Sequence, residues 1–371
     1  MKRLYKVILL FLLAVVAVAV LCLLQNPARG GRPHDHNPYG LQSDSSQVYL
    51  LPSSRVYLDS LMKHIADARE SVYMEMYQLD GEQARLVMDL MRRKAREGVK
   101  VEVLVDGWGT RDEPWDYDAI RADGVDIGFW DEVKFPVLNH VLHRNHRKVV
   151  IIDGEWSFIG STNIAAYSFG HFKERPDSFP CFDMNIQMRA GAPQVTVVEK
   201  AEDLLSAMTA LIEDATDSIR IIQPYIALPA PVLNALKDAL SRGVDIQFLM
   251  GEWSDLPVYQ QSALGLFHQV LGPAGARMWL YRDGFHHTKA MSVDGKVLFL
   301  GSTNMTHRAL RRNLEENVLV KDPQLASEFD ANFAAFVAGS IPFDDAYWAQ
   351  MPEGERRRCA RVHRFNRLII E

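Results

Sequence analysis

Cysteine is scarce in this chain, with three residues in 371: Cys22, Cys181 and Cys359. Their spacing forms no paired knuckle, so neither a metal site nor a metal cofactor is expected from it. A single bridge from Cys181 to Cys359 is the most the sequence allows outside the N-terminal segment. An excess of positive charge is also missing: 47 acidic residues against 41 basic ones leave a formal net charge of -6. A protein whose main task is holding DNA or RNA presents a basic surface. Nucleic acid is therefore not the expected partner, although a local basic cleft stays compatible with this balance. Long apolar runs are limited to one, over residues 7–24, with Lys2, Arg3 and Lys6 before it and Arg29 and Arg32 after it. Its length is near the lower limit of about 17 residues for crossing a bilayer. Residues 19–26 offer no small-residue cleavage site, and Leu21 does not suit a lipoprotein-type Cys22. Residues 1–24 are accordingly read as a transmembrane anchor rather than a cleaved signal segment. The basic residues ahead of the run lean the N-terminus to the cytoplasm and the body to the outer side of the cell membrane.

What remains has the composition of a globular protein, 48% hydrophobic and 24% charged, and enough length for two domains. Residues 25–47 are rich in Gly, Pro, Ser, Asn and His without a hydrophobic period, which is a linker composition. The rest is an internal duplication. Ile65, Asp67, Ala68, Ser71 and Val72 match Ile212, Asp214, Ala215, Ser218 and Ile219, where an amphipathic helix enters a strand. Tyr77 and Tyr225 follow those strands, and Gly98 and Gly243 stop the next helix before a second apolar strand. Helices alternating with short apolar strands predict an α/β fold of two duplicated domains, over 48–193 and 194–345, related by a pseudo-two-fold axis. A basic tail over 346–371 follows.

One pattern occurs twice with identical internal spacing. His146, Lys148, Asp153, Gly160, Ser161 and Asn163 recur as His287, Lys289, Asp294, Gly301, Ser302 and Asn304, each 141 residues later. In both copies an Asp-Gly pair separates two apolar runs, a strong hairpin signal. Residues two apart in a strand share a face, so each His and Lys project together. Brought into one cleft, the copies supply two imidazoles and two ammonium groups. That set suits a phosphodiester cut through a covalent intermediate. One histidine attacks phosphorus while the other protonates the leaving oxygen, and the roles reverse when an alcohol or water enters. The lysines neutralise the growing charge, so no cofactor is needed. Asn163 and Asn304 can donate N–H bonds to the phosphate, and Ser161 and Ser302 hydroxyl bonds. An attacking histidine needs its second ring nitrogen held by an acidic group. Asp183 is assigned to His146 and Glu315 to His287, with Glu316 as competitor. Asp153 and Asp294 are counted with the catalytic set as motif members. Their turn lies away from His and Lys, so they are expected to hold the hairpin.

The duplicated pattern resembles the phospholipase D superfamily over roughly residues 48–345. The lengths of the halves, the apolar N-terminus, Pro224-Tyr225 and Asn313-x-Glu315 look most like bacterial cardiolipin synthases. The resemblance implies two fused α/β domains, one shared site, a phosphohistidine intermediate and transfer of a phosphatidyl group to an alcohol. By analogy it makes His146 the nucleophile and His287 the general acid. The expected reaction joins two phosphatidylglycerol molecules and releases glycerol. The alternative is hydrolysis of a phospholipid by water. The expected partners are a phospholipid substrate and the membrane, with no obligate protein partner. The chain departs from the resemblance in showing one apolar segment where many such synthases carry a pair.

Other residues carry weaker signals. His140, His143 and His146 are evenly spaced, but a polar cleft rim explains them better than a metal site. His286 is expected to face away from its neighbour His287. Tyr167 and His171 are placed to line the pocket or only to pack beside it. Trp108, Trp115 and Trp253 follow the second strand of each half, where either acyl chains or ordinary loop packing would occupy them. The C-terminal arginines read as a solvated face or as a surface for anionic headgroups.

Overall fold

A computed structural model describes residues 47–111, 113–131, 144–173 and 177–370. The apolar segment, most of the linker, His140 and His143 lie outside these described residues.

Each half is built on one sheet. In the first half the strands are β1 (Val48–Leu51), β2 (Ser71–Met76), β3 (Lys100–Asp106), β4 (Val125–Trp130), β5 (Lys148–Ile152), β6 (Trp156–Gly160), β7 (Cys181–Phe182) and β8 (Asn185–Arg189). The second half contains β9 (Val195–Val198), β10 (Ser218–Ile222), β11 (Ile226–Ala227), β12 (Asp245–Gly251), β13 (Arg277–Tyr281), β14 (Phe285–His286), β15 (Ala290–Val293), β16 (Val297–Gly301), β17 (Met305–Thr306), β18 (Asn317–Val320) and β19 (Ser340–Pro342). The first sheet runs β1-β8-β6-β5-β2-β3-β4, and the second runs β19-β13-β12-β10-β15-β16-β18-β9. Reversed, the second order repeats the first strand for strand, with β19 added at one edge. In both, three strands pair parallel and the others antiparallel. The duplication read from the sequence is thus a duplication of topology.

Local chemistry sets the elements. Ser53 caps the helix Ser54–Asp67 by accepting the Val56 N–H at 3.2 Å. Gly98 and Gly243 take left-handed φ values of 95° and 91°, ending the helices Gly81–Arg96 and Ala230–Ser241 and turning the chain into β3 and β12. The Asp-Gly turns also have positive φ at both positions: 53° and 63° at Asp153 and Gly154, 53° and 59° at Asp294 and Gly295. That is the twist a two-residue hairpin requires.

Each sheet carries its own apolar core, and a third core joins the halves. In it Val149, Ile159, Ile186 and Met188 pack with Ile222, Leu298, Leu300 and Val318. Burying one such side chain stabilises by about 1.5–3 kcal/mol, so this joint fixes one sheet against the other. It also sets how the two motifs meet. Beside the joint, β14 pairs with β7 of the other half, and Asn145 bridges Leu314. Each histidine-bearing segment therefore docks on the opposite half.

The basic C-terminal stretch forms a helix, Glu353–Ile370, which packs on the helix Pro257–Leu266 with Cys359 fully buried. Gly265 permits this contact, because a Cβ there would strike the Cys359 carbonyl. Cys181 and Cys359 are both free thiols. Among the described residues no helix is long and apolar enough to cross a membrane.

Candidate active site

The hairpins β5–β6 and β15–β16 sit in the middle of their sheets, and His146 and His287 precede them by two and three residues. Both imidazoles line one pocket of about 390 Å³, together with Asn163 and Asn304. Tyr77 meets His146 edge-on at 4.8 Å between ring centroids, and Tyr167 meets His287 at 5.4 Å. Tyr167 and His171 both line the pocket. Lys148 and Lys289 are buried just beneath, 2% and 1% exposed. Lys148 Nζ donates to the His146 carbonyl at 2.7 Å, and Lys289 Nζ to that of His287. Their other N–H donors stay free of those bonds. Burial pushes the Lys148 ammonium down to about 7 and that of Lys289 to about 8, against the pull of nearby carboxylates.

The ring nitrogens are held as required, but the pairing differs from the expected one. His146 Nδ1 lies 2.9 Å from Glu315 Oε2, and His287 Nδ1 lies 2.8 Å from Asp183 Oδ1. Each histidine takes its carboxylate from the other half. The assignment of Asp183 to His146 and Glu315 to His287 is corrected, because the joint between the sheets carries each motif across. Glu316, the competitor, lies instead 3.8 Å from Arg147 Nε. The serines also differ from expectation. Ser161 Oγ donates to Asp183 and Ser302 Oγ to Glu315, both at 2.6 Å. Their hydroxyls hold carboxylates rather than facing the pocket, and both residues are fully buried. Burial raises the Asp183 carboxyl, but His287, Lys289 and Ser161 outweigh it and hold it at about 2. The same balance, through His146, Lys148 and Ser302, holds Glu315 below the usual range. Burial dominates at the rings and brings His146 and His287 down to about 4. Both imidazoles are therefore neutral near pH 7 in the free protein. Among the described residues no group of three or more His, Cys, Asp or Glu side chains is arranged to hold a metal ion.

The family described as "Cardiolipin synthase, PLD-like domain" matches residues 61–175 and 208–337. The chain belongs to this family. Cardiolipin synthase A of Pseudomonas putida (strain W619) is 30% identical over 335 residues, covering 77% of this chain and 67% of that protein. Probable cardiolipin synthase YwiE of Bacillus subtilis (strain 168) is 26% identical over 332 residues, covering 78% and 65%. The crystal structure of a phosphatidylserine synthase from Haemophilus influenzae Rd KW20 shares the fold. Its TM-score is 0.70 at 14% identity, over 87% of this chain and 94% of that one.

Within this PLD-like architecture the motif aspartates stand apart from the pocket. Asp153 accepts the backbone N–H groups of Arg69, Glu70 and Ser71 at 2.8–3.2 Å. Asp294 does the same for Thr216, Asp217 and Ser218. Each ties its hairpin turn to the loop entering the neighbouring strand, so their place in the catalytic set is corrected to a structural one. Asp153→Ala removes the acceptor of three backbone N–H groups, and Asp294→Ala that of three backbone N–H groups and the Thr216 hydroxyl, each at a cost on the order of 3 kcal/mol. Denaturant unfolding should register that loss, while the pH dependence of turnover in the folded protein stays where it was.

Gly160 and Gly301 are needed for a different reason. A Cβ at either would strike Asn185 or Asn317 on the adjoining strand. Those asparagines hold the turns of Thr162 and Thr303 in place. His286 is fully buried, stacked on Phe182 at 5.0 Å and edge-on to Phe336 at 4.2 Å. It does not line the pocket that His287 lines. Trp253 packs with Phe172, Phe179 and Phe285 into an apolar wall. Trp115 Nε1 donates to the Leu79 carbonyl at 3.0 Å, and Trp108 lies under the Arg111 guanidinium. The sequence reading missed Arg144 and Arg308, which also line the pocket. Neither belongs to the repeated motif or stands beside it in a pattern shared by the two halves.

Proposed function

We propose that this protein is a phosphatidyltransferase that joins two phosphatidylglycerol molecules into cardiolipin and releases glycerol. The observation that carries the reading is the meeting of two carboxylate-held imidazoles in one pocket above two buried lysines. In the first step Nε2 of one histidine forms a bond to phosphorus as the bond to the leaving glycerol oxygen breaks. The proton on the other imidazolium goes to that oxygen. In the second step a headgroup hydroxyl of the second phosphatidylglycerol gives its proton back to that imidazole. Its oxygen bonds to phosphorus and the phosphorus–nitrogen bond breaks. Lys148, Lys289, Asn163 and Asn304 stabilise the charge on the non-bridging oxygens. Asp183 and Glu315 keep each ring in the tautomer with Nε2 facing the phosphorus. The aromatic wall of Phe172, Trp253 and Phe285 is an apolar surface beside the headgroup site. The apolar run over residues 7–24 fits attachment to the membrane that holds the substrate, with the body on the outer side.

The full-length protein with labelled phosphatidylglycerol tests this reading. Cardiolipin and glycerol in equal amounts support it. Phosphatidic acid as the main lipid product would replace it with hydrolysis.

One pH effect follows from the neutral rings. The reaction needs one proton shared between the two histidines, and each holds its own only below about 4. A phosphodiester anion entering the pocket stabilises the imidazolium and raises its pKa. Binding of glycerophosphoglycerol near pH 7 should therefore take up protons. Affinity should fall as pH rises between the free and bound pKa values, by up to about tenfold per unit. Calorimetry in buffers of different ionisation enthalpy measures the uptake directly. Proton release would contradict the assignment.

A further inference from the structure

The two carboxylate–histidine pairs, one with an aspartate and one with a glutamate, are bonded alike at the inner oxygen and differently at the outer one. The inner oxygen of each carboxylate receives the histidine ring nitrogen and a motif serine hydroxyl: Asp183 Oδ1 from His287 and Ser161, Glu315 Oε2 from His146 and Ser302. The outer oxygens differ. Glu315 Oε1 accepts from Asn313 Nδ2 at 3.1 Å, whereas Asp183 Oδ2 meets the Cys181 thiol at 3.8 Å. Cys181 and Asn313 occupy equivalent places. Each stands two residues before its carboxylate. The intervening carbonyls, of Phe182 and Leu314, each accept a histidine backbone N–H at 2.8 Å.

An amide N–H is a strong donor and a thiol a weak one. Donation to the outer oxygen draws charge away from the carboxylate. That weakens its hold on the ring N–H and its support for a positive imidazolium. The Cys181 thiol is pushed far up by burial and by Asp183, so it stays protonated and offers only this weak S–H.

We propose that Asn313 and Cys181 are positioning residues that make the two histidines unequal: Glu315, bonded at both oxygens, favours a neutral His146, and Asp183, with its outer oxygen little engaged, favours a protonated His287. This rests on the phosphatidyl-transfer reading only for its purpose, which is to keep one ring ready to attack and the other ready to give a proton. The other charged groups at the two rings do not impose this difference. Lys148 and Lys289 each act on both rings, each ring faces its own carboxylate, and Asp80, Arg144, His171, Lys173, Asp255 and Arg308 line the pocket that the two rings share. Tyr77 and Tyr167, each edge-on to one ring, are both held neutral by burial.

The test is a titration of the histidine rings by NMR, on the full chain carrying ¹³C-labelled histidine. It is run in saturating sulfate, an anion whose charge is constant over the range. In the wild type His287 should titrate above His146. Asn313→Ala should raise His146 by about 0.5–1 pKa unit and leave His287 in place. Cys181→Ser, which supplies a stronger donor in nearly the same volume, should lower His287 by a similar amount and leave His146 in place. Cys181→Ala should move His287 by much less than Asn313→Ala moves His146. Equal wild-type values, or variants that move neither ring or the wrong ring, would overturn the proposal. The lipid assay is read separately on the same protein. Ring shifts as described without cardiolipin formation would sink the functional reading and leave this one standing. Cardiolipin formation with unmoved rings would do the reverse.

Discussion

Replacing either histidine with alanine is expected to lower cardiolipin formation by at least about 10⁴-fold, because groups that act as a unit fail together. The expectation comes from geometry. His146 and His287 line the same pocket, each with Nδ1 on a carboxylate and the ring edge toward the cavity. In the proposed mechanism one supplies the electron pair that reaches phosphorus, and the other moves the proton at the opposite oxygen. Arg144, which lines the same pocket, is committed to Asp106 and Asp131. The double variant should be no less active than the worse single variant. Turnover of labelled phosphatidylglycerol, with thermal unfolding recorded on each variant, checks this. A single variant that keeps a tenth of its activity would remove that histidine from the chemistry.

Lys148→Met and Lys289→Met should each lower kcat by about 10²–10³-fold, the cost of removing one donor from a site of growing negative charge. KM should change less than kcat, because the ammonium–phosphate contact strengthens as charge develops. Arginine should not rescue either position. The ammonium sits in a buried slot against a backbone carbonyl, and a planar guanidinium fork does not fit a slot shaped for a compact point charge. Steady-state kinetics on the four variants distinguish this from simple loss of substrate binding. A rise in KM with unchanged kcat would assign the lysines to ground-state binding alone.

The repeated motif was legible because its physics is local. A two-residue period puts His and Lys on one face, and Asp-Gly dictates the turn. The α/β class of each half followed from the alternation of helix and short apolar strand. The crossing of the carboxylates was not legible. It depends on how Val149, Ile159 and Ile186 meet Ile222, Leu298 and Val318 between the sheets, and no spacing within one half encodes that. The serines were misread because strands β6 and β16 end at Gly160 and Gly301. The period-two rule stops there, and the chain turns Ser161 and Ser302 toward the carboxylates. Asn313 and Cys181 showed no shared letter, so their equivalence was visible only once Leu314 and Phe182 were seen bonding to equivalent histidines.

The most direct check of a covalent two-step transfer is the stereochemistry at phosphorus. A substrate made chiral at phosphorus with sulfur and oxygen isotopes should give a product of retained configuration. Attack by an imidazole and then by the acceptor inverts the centre twice. Inversion would mean a single direct displacement, with no phosphohistidine between the two lipids.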